Sequence, residues 1–175
     1  MTDSSHHLVD LLRSLVDHEV QFVVCGGVAA VLHGVERVTM DLDISLELSE
    51  PNLQSFLTAM REQHMTPRAP IPAESILDEK VRTAIVEEKG ALVFTFIDTE
   101  NPYKQVDVLL TADRSYDVVV EGAVGIDLGE GYTIKALTID MLLEMKQSID
   151  APRDKDLHDI SELRRIKQML DKAHG

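Results

Sequence analysis

The stretch Arg37-Val38-Thr39-Met40-Asp41-Leu42-Asp43-Ile44 carries two aspartates separated by a single leucine. The alternation continues to Leu48, with Asp41, Asp43, Ser45 and Glu47 set against Leu42, Ile44, Leu46 and Leu48. Side chains at i and i+2 of a strand share a face. The pattern therefore predicts a half-buried strand over Asp41–Leu48 with both carboxylates on its polar side. Aspartate is disfavoured in strands, and two like charges on one face repel. Such a pair suits a site where the carboxylates share hard divalent cations.

Upstream, Phe22 to Cys25 is an apolar run too short for a helix, ending on Gly26-Gly27. It reads as a buried strand, followed by a helix over Ala29–His33 that stops at Gly34. Glycine at a strand-to-helix junction lets backbone N–H groups approach phosphate oxygens, and a helix N-terminus favours anions. Two glycines there are also commonly no more than a turn. His33 reads as a packed helix-end residue.

Downstream, Gln105-Val106-Asp107-Val108-Leu109-Leu110 alternates again, with Gln105 and Asp107 on one face. A preceding strand over Leu92–Ile97 and the Asn101-Pro102 turn signal predict a hairpin. Taken alone, Asp107 is an ordinary polar position of a half-solvated strand. If its strand lies beside that of Asp41, three carboxylates converge. Two Mg²⁺ ions would offset their repulsion and clamp a triphosphate for in-line displacement.

Around these strands the chain reads as helix and strand in mixture. Leu8, Leu11, Leu12, Leu15 and Val16 recur at helical spacing, and Ser49-Glu50-Pro51 opens a helix bearing Leu53, Phe56, Leu57 and Met60. A connector from Pro67 to Pro72 precedes a helix through Leu77, Val81, Ala84 and Ile85. Short strands are expected over Val118–Val120, Val124–Ile126 and Tyr132–Ala136. Helices resume at Thr138, break at Asp150 to Asp154 around Pro152, and end near Lys172. The expected fold is α+β, a mixed central sheet flanked by helices. Residues 1–137 form its core and residues 138–175 are C-terminal helices packed on it as one compact unit. Lys146 continues the apolar stripe of Ile139, Leu142 and Leu143, so it either snorkels to solvent or meets an anion. Asp156 lies one turn before Ile160 and leans toward the same cleft, although Asp154, Asp156 and Asp159 also suit a helix start with no further role.

The 31 acidic residues against 17 basic ones leave a formal charge of -14, which argues against a broad nucleic-acid-binding surface. With aromatics at 4% and no Trp, the core must be built from Leu, Val, Ile and Met. The single cysteine, Cys25, forms no internal disulfide and reads as a small buried hydrophobe. The polar stretch from Met1 to His7 has no apolar h-region, and no apolar run reaches membrane-spanning length. A cytoplasmic protein with no membrane partner is expected.

The ordered set Gly26-Gly27, His33-Gly34, Arg37-x-Thr39-x-Asp41-Leu42-Asp43-Ile44 and Val106-Asp107-Val108 resembles the nucleotidyltransferase superfamily with the DNA polymerase beta-like fold. Within it, the pattern is similar to the AbiEii-type toxins and related minimal nucleotidyltransferases. The resemblance covers about Phe22 to Leu110, and Lys146 with Arg153-Asp154-Lys155-Asp156 extends it less specifically. It implies Mg²⁺- or Mn²⁺-dependent transfer of an NMP group from an NTP, with ATP among the candidate substrates, to an acceptor hydroxyl on RNA, tRNA or protein. Asp41, Asp43 and Asp107 would bind metal, and Asp107 would help activate the acceptor hydroxyl. Gly26, Gly27, Arg37, Thr39, Lys146 and Asp156 would contact the nucleotide, with Lys146 also counted among the catalytic set. The resemblance further implies a type IV toxin-antitoxin toxin with a cognate antitoxin or other partner protein. Its alternatives are an inactive nucleotide-binding or protein-interaction module, and an antitoxin-like transferase acting on a partner protein.

Overall fold

In the computed structural model, β1 (Phe22–Cys25) and β2 (Asp41–Leu46) lie side by side and antiparallel at the middle of a mixed sheet. Residues 3–88 and 90–175 are described; Met1 and Thr2, at the head of the polar N-terminal stretch, and Lys89 lie outside them. The order across the sheet is β3 (Met65–Pro67), β4 (Val93–Asp98), β5 (Gln105–Leu109), β2, β1, β7 (Tyr132–Ala136) and β6 (Val124–Gly129). Among the described residues this makes a seven-stranded sheet in an α+β fold. β2 pairs with β5 in parallel and β1 with β7 in parallel, while β4 and β5 form the expected antiparallel hairpin.

The two-residue period sorts each central strand into a core side and a cavity side. Leu42 and Ile44 of β2, Val106 and Val108 of β5, and Phe94 and Phe96 of β4 are buried in one cluster. Helices α1 (Asp3–Asp17) and α3 (Glu50–Glu62) contribute Leu11, Leu12, Leu15, Leu53, Phe56 and Met60 to that cluster. Phe56 meets Phe96 edge-to-face with centroids 5.3 Å apart. Each such buried side chain contributes on the order of 1.5–3 kcal/mol. The other side of these strands carries Asp41, Asp43, Thr95 and Asp107.

Helix α2 (Gly26–Leu32) follows β1 directly, so it starts on the glycine pair rather than at the expected Ala29. Helices α6 (Ile139–Gln147) and α7 (Asp154–His174) close the chain. Leu142, Leu143 and Leu163 bring both into the same buried cluster as the sheet. No helix among the described residues is long and apolar enough to cross a membrane.

Four further expectations are corrected. β2 ends at Leu46 rather than Leu48, because Asn52 of α3 takes over the backbone there: its Nδ2 donates to the carbonyls of Gln21 at 3.0 Å and Glu47 at 2.7 Å. Val118–Val120 is not a strand; α5 (Tyr116–Val119) is one helical turn, with Ser115 O accepting from Val118 N and Val119 N. Both flanks of β2 are already paired, so these valines have no sheet position there to fill and only Val119 buries. The connector begins inside the short edge strand β3, where Pro67 costs little because an edge strand leaves N–H positions unused. The helix expected through Leu77 is divided: a 3-10 turn spans Ala73–Leu77, and Asp78 then caps α4 (Glu79–Glu87) by accepting from Lys80 N at 2.8 Å.

Candidate active site

The β2–β5 register sets Asp43 beside Asp107 and Asp41 beside Gln105. Asp41, Asp43 and Asp107 line one cavity of about 330 Å³. Across the hairpin, Thr95 faces Asp107 and donates its hydroxyl to Oδ1 at 2.6 Å, while Gln105 Nε2 donates to Oδ2 at 3.0 Å. Asp107 is thereby held in one orientation through both oxygens.

Charge is expensive on this face. Burial and then the neighbouring Asp107 push the pKa of the Asp41 carboxyl above the usual carboxylate range. Asp43 is pushed up to about 6 by burial first, then by Asp107 and Asp41. Lys155 partly offsets both shifts. The neighbouring Cys25 is 2% exposed, and burial followed by Asp43 drives its thiol to about 12, so it is not a thiolate nucleophile.

The glycine pair is required by space. A Cβ on Gly26, whose φ is +58°, would lie 2.1 Å from Asp43 Oδ2, and one on Gly27 would lie 1.8 Å from Arg37 Nη2 and 3.3 Å from Thr39 Oγ1. The turn therefore touches the strand carboxylate on one side and the Arg37 guanidinium on the other. Because the nearest atoms are side-chain tips, Gly27→Ala is expected to fold but displace Arg37. Its thermal midpoint should fall by no more than about 5 °C, while affinity for Mg²⁺ with a triphosphate should drop by about tenfold or more. Calorimetric titration beside a thermal melt checks both.

Arg37 leads to a buried ionic network beneath the cavity wall. Its Nε lies 2.9 Å from Asp159 Oδ1, and Lys146 Nζ lies 2.7 Å from Asp159 Oδ2 and 3.3 Å from Asp156 Oδ1. Arg153 donates to Asp156 Oδ2 from both Nε, at 3.0 Å, and its backbone N, at 3.2 Å. Burial alone would raise Asp156, but the hydrogen bonds from Arg153 and the charge of Lys146 hold it below the usual carboxylate range. The backbone explains how Lys146 arrives here. β7 runs parallel to β1 and continues its bonding through Leu137 N to Val24 O at 3.0 Å. Thr138 then caps α6 by accepting from Met141 N at 3.3 Å, and His33 Nε2 bonds Leu137 O at 2.7 Å.

The residues singled out from the sequence converge. Gly26, Gly27, Arg37, Thr39, Asp41, Asp43, Asp107, Lys146 and Asp156 all line the one cavity. Lys146 is 7% exposed and, rather than snorkelling, meets two carboxylates. Its Asp159 partner, 0% exposed, was legible only as a helix-start acid, although Asp156, Asp159 and Leu163 repeat at a spacing that shares a helix face. Arg114, Arg153 and Lys155 also line the cavity. Ser45 holds the first of these by donating to Arg114 O at 2.7 Å.

The donor set fits a hard divalent cation in kind: two carboxylates on one strand face, a third in register beside them, and a mutual repulsion that a cation would remove. Among the described residues no three acidic, histidine or cysteine side chains are already drawn together as a ligand cage. Thr95 and Gln105 each occupy one acceptor site on Asp107, and its carboxylate keeps others for a cation. Compared with protein-family models and with curated proteins, the chain matches none.

Proposed function

We propose that the chain is a metal-dependent nucleotidyltransferase, on a nucleotidyltransferase fold, that moves an NMP group from an NTP to an acceptor hydroxyl. The observation that carries this reading is the pairing of Asp43 with Asp107, with Asp41 on the same cavity wall as the Gly26-Gly27 turn. Bound Mg²⁺ or Mn²⁺ would be held by Asp41, Asp43 and Asp107, polarising the triphosphate and neutralising its charge. The chain's own groups do the rest. Backbone N–H groups of Gly26 and Gly27 meet phosphate oxygens, and the planar fork of Arg37 and the hydroxyl of Thr39 add donors beside them. Asp107, oriented by Thr95 and Gln105, takes the proton of the acceptor hydroxyl. The acceptor oxygen bonds to the α-phosphorus, the α–β phosphoanhydride bond breaks, and pyrophosphate leaves with the electron pair.

The charge of -14 favours a protein acceptor over a long RNA. A toxin-antitoxin role, with a cognate antitoxin as partner, is the biological form this chemistry takes in the proteins it resembles. The test is incubation of the purified chain with α-labelled NTPs, Mg²⁺ and either tRNA or cell lysate. Label should move to RNA or protein, and Asp41→Ala should reduce transfer by about a thousandfold or more. No label on any acceptor, or equal labelling by Asp41→Ala, would overturn the reading.

A second reading has its own observation. Both Asp107 oxygens are engaged by Thr95 and Gln105, which suits a nucleotide-binding module without transfer activity. Calorimetric binding of Mg²⁺ and NTP without any label transfer would select it.

A further inference from the structure

Asp159 is the most completely buried carboxylate in the molecule's ionic network, and its partners come from different parts of the chain. Arg37 precedes β2, Lys146 belongs to α6 and Asp159 to α7. The α7 helix reaches the Arg37 segment a second time through His158 Nε2, 3.3 Å from Glu36 O. It is anchored below by Leu163, also 0% exposed.

The network is poorly explained as a stabilising device. The Arg37–Asp159 and Lys146–Asp159 contacts are short, yet Arg37 Nε and both Asp159 oxygens lack an aligned hydrogen bond. A buried ion pair of imperfect geometry does not recover its desolvation cost, and apolar residues of similar volume often serve stability as well. What the arrangement does achieve is placement. Asp159 takes the Nε side of Arg37, while Nη2 is directed at the Gly27 backbone on the cavity wall. It also holds Lys146 Nζ within the same lining. Arg37, Lys146 and Arg153 together outnumber Asp156 and Asp159, so the network keeps a positive excess toward the cavity.

We infer that Asp159 is a positioning residue, which aims Arg37 and Lys146 at the triphosphate of the NTP and couples the docking of α7 to nucleotide binding. The inference rests on the nucleotidyltransferase reading. It predicts that Asp159 acts through Arg37, so that removing one partner already forfeits what the other supplies. A residue that merely stabilises the fold would show no such coupling in ligand affinity.

Inorganic tripolyphosphate with Mg²⁺ is the probe, because it is independent of base preference. Calorimetric titration of wild type, Asp159→Asn, Arg37→Gln and the double variant, each checked for folding by circular dichroism, decides between outcomes. Asp159→Asn is expected to bind about tenfold or more weakly, with the double variant within about threefold of Arg37→Gln. Binding of Asp159→Asn within about threefold of wild type, or a double variant showing the product of both single losses, overturns the positioning role and leaves the transferase reading standing. No binding by wild type overturns both. Should Asp159→Asn fail to fold, the wild-type Arg37 Nε–H signal in ¹⁵N NMR, assigned by its loss in Arg37→Lys, decides instead. Protection from exchange together with a shift on tripolyphosphate binding supports the role; rapid exchange or no shift overturns it.

Discussion

Asp43→Asn is expected to abolish nucleotide transfer and yet make the metal-free protein more stable at neutral pH. In the native state the Asp43 carboxyl is pushed up to about 6, from an ordinary 3.8, because it is buried beside Asp107 and Asp41. A carboxyl raised on folding destabilises the native state once it ionises. Below about pH 4 the group is protonated in both states and adds nothing. As pH rises from about 4 to about 6 the unfolded chain releases its proton first, and the native state loses stability through that window. Above it the full penalty remains, at most about 3 kcal/mol for a displacement of this size.

Asparagine keeps the shape and removes the charge. Its metal-free melting temperature at pH 7.5 should therefore exceed that of wild type, and the pH dependence between about 4 and 6 should flatten. Mg²⁺ with a triphosphate should reverse the order, raising the wild-type midpoint and leaving the variant unmoved. Transfer should fall by about a thousandfold or more, because a carboxylate of the proposed metal site is gone. Thermal melts over a pH series with and without Mg²⁺ test the stability half. A variant less stable than wild type at pH 7.5 without metal would refute it.

Lys146→Ala should carry the largest stability loss of any single change at the site. Lys146 is the cation shared by Asp156 and Asp159, and all three are nearly or fully buried. Removing it leaves Asp159 with Arg37 alone, through a contact that is not an aligned hydrogen bond, and leaves Asp156 to Arg153. Breaking one side of a buried ion pair typically costs about 3–5 kcal/mol, a large share of the roughly 5–15 kcal/mol that holds a domain together. Urea denaturation at pH 7.5 measures it. Lowering the pH should narrow the gap between the two proteins, because protonating Asp156, which Lys146 helps hold below the usual carboxylate range, removes part of what Lys146 stabilises. A loss below about 1 kcal/mol would mean that the network is solvated rather than buried.

The contrast between these residues explains what was readable in advance. Asp41 and Asp43 stood out because alternation with Leu42 and Ile44 is a local, two-residue signal, and the same holds for Asp107 between Val106 and Val108. Whether those strands were neighbours was not local information. They pair in parallel, and parallel partners are joined by long crossings that leave no turn signal to set the register. The Val118–Val120 run shows the opposite failure: strand-forming residues beside β2, whose two flanks are already paired, became a helical turn. Asp159 was hidden because an acid in the first turns of a helix already has a sufficient reason to be there. Only the identity of what lies across from it, Arg37 and Lys146 from remote segments, reveals its place.

In the proposed transfer, Asp41, Asp43 and Asp107 act together on a metal-bound triphosphate. Anomalous diffraction from crystals of the protein grown with Mn²⁺ and a non-hydrolysable NTP analogue tests this most directly. Manganese peaks are expected with Asp41 and Asp43 as ligands, with Asp107 joining them and the triphosphate lying along Gly26-Gly27. Manganese absent from these carboxylates, with the analogue bound elsewhere, would contradict it.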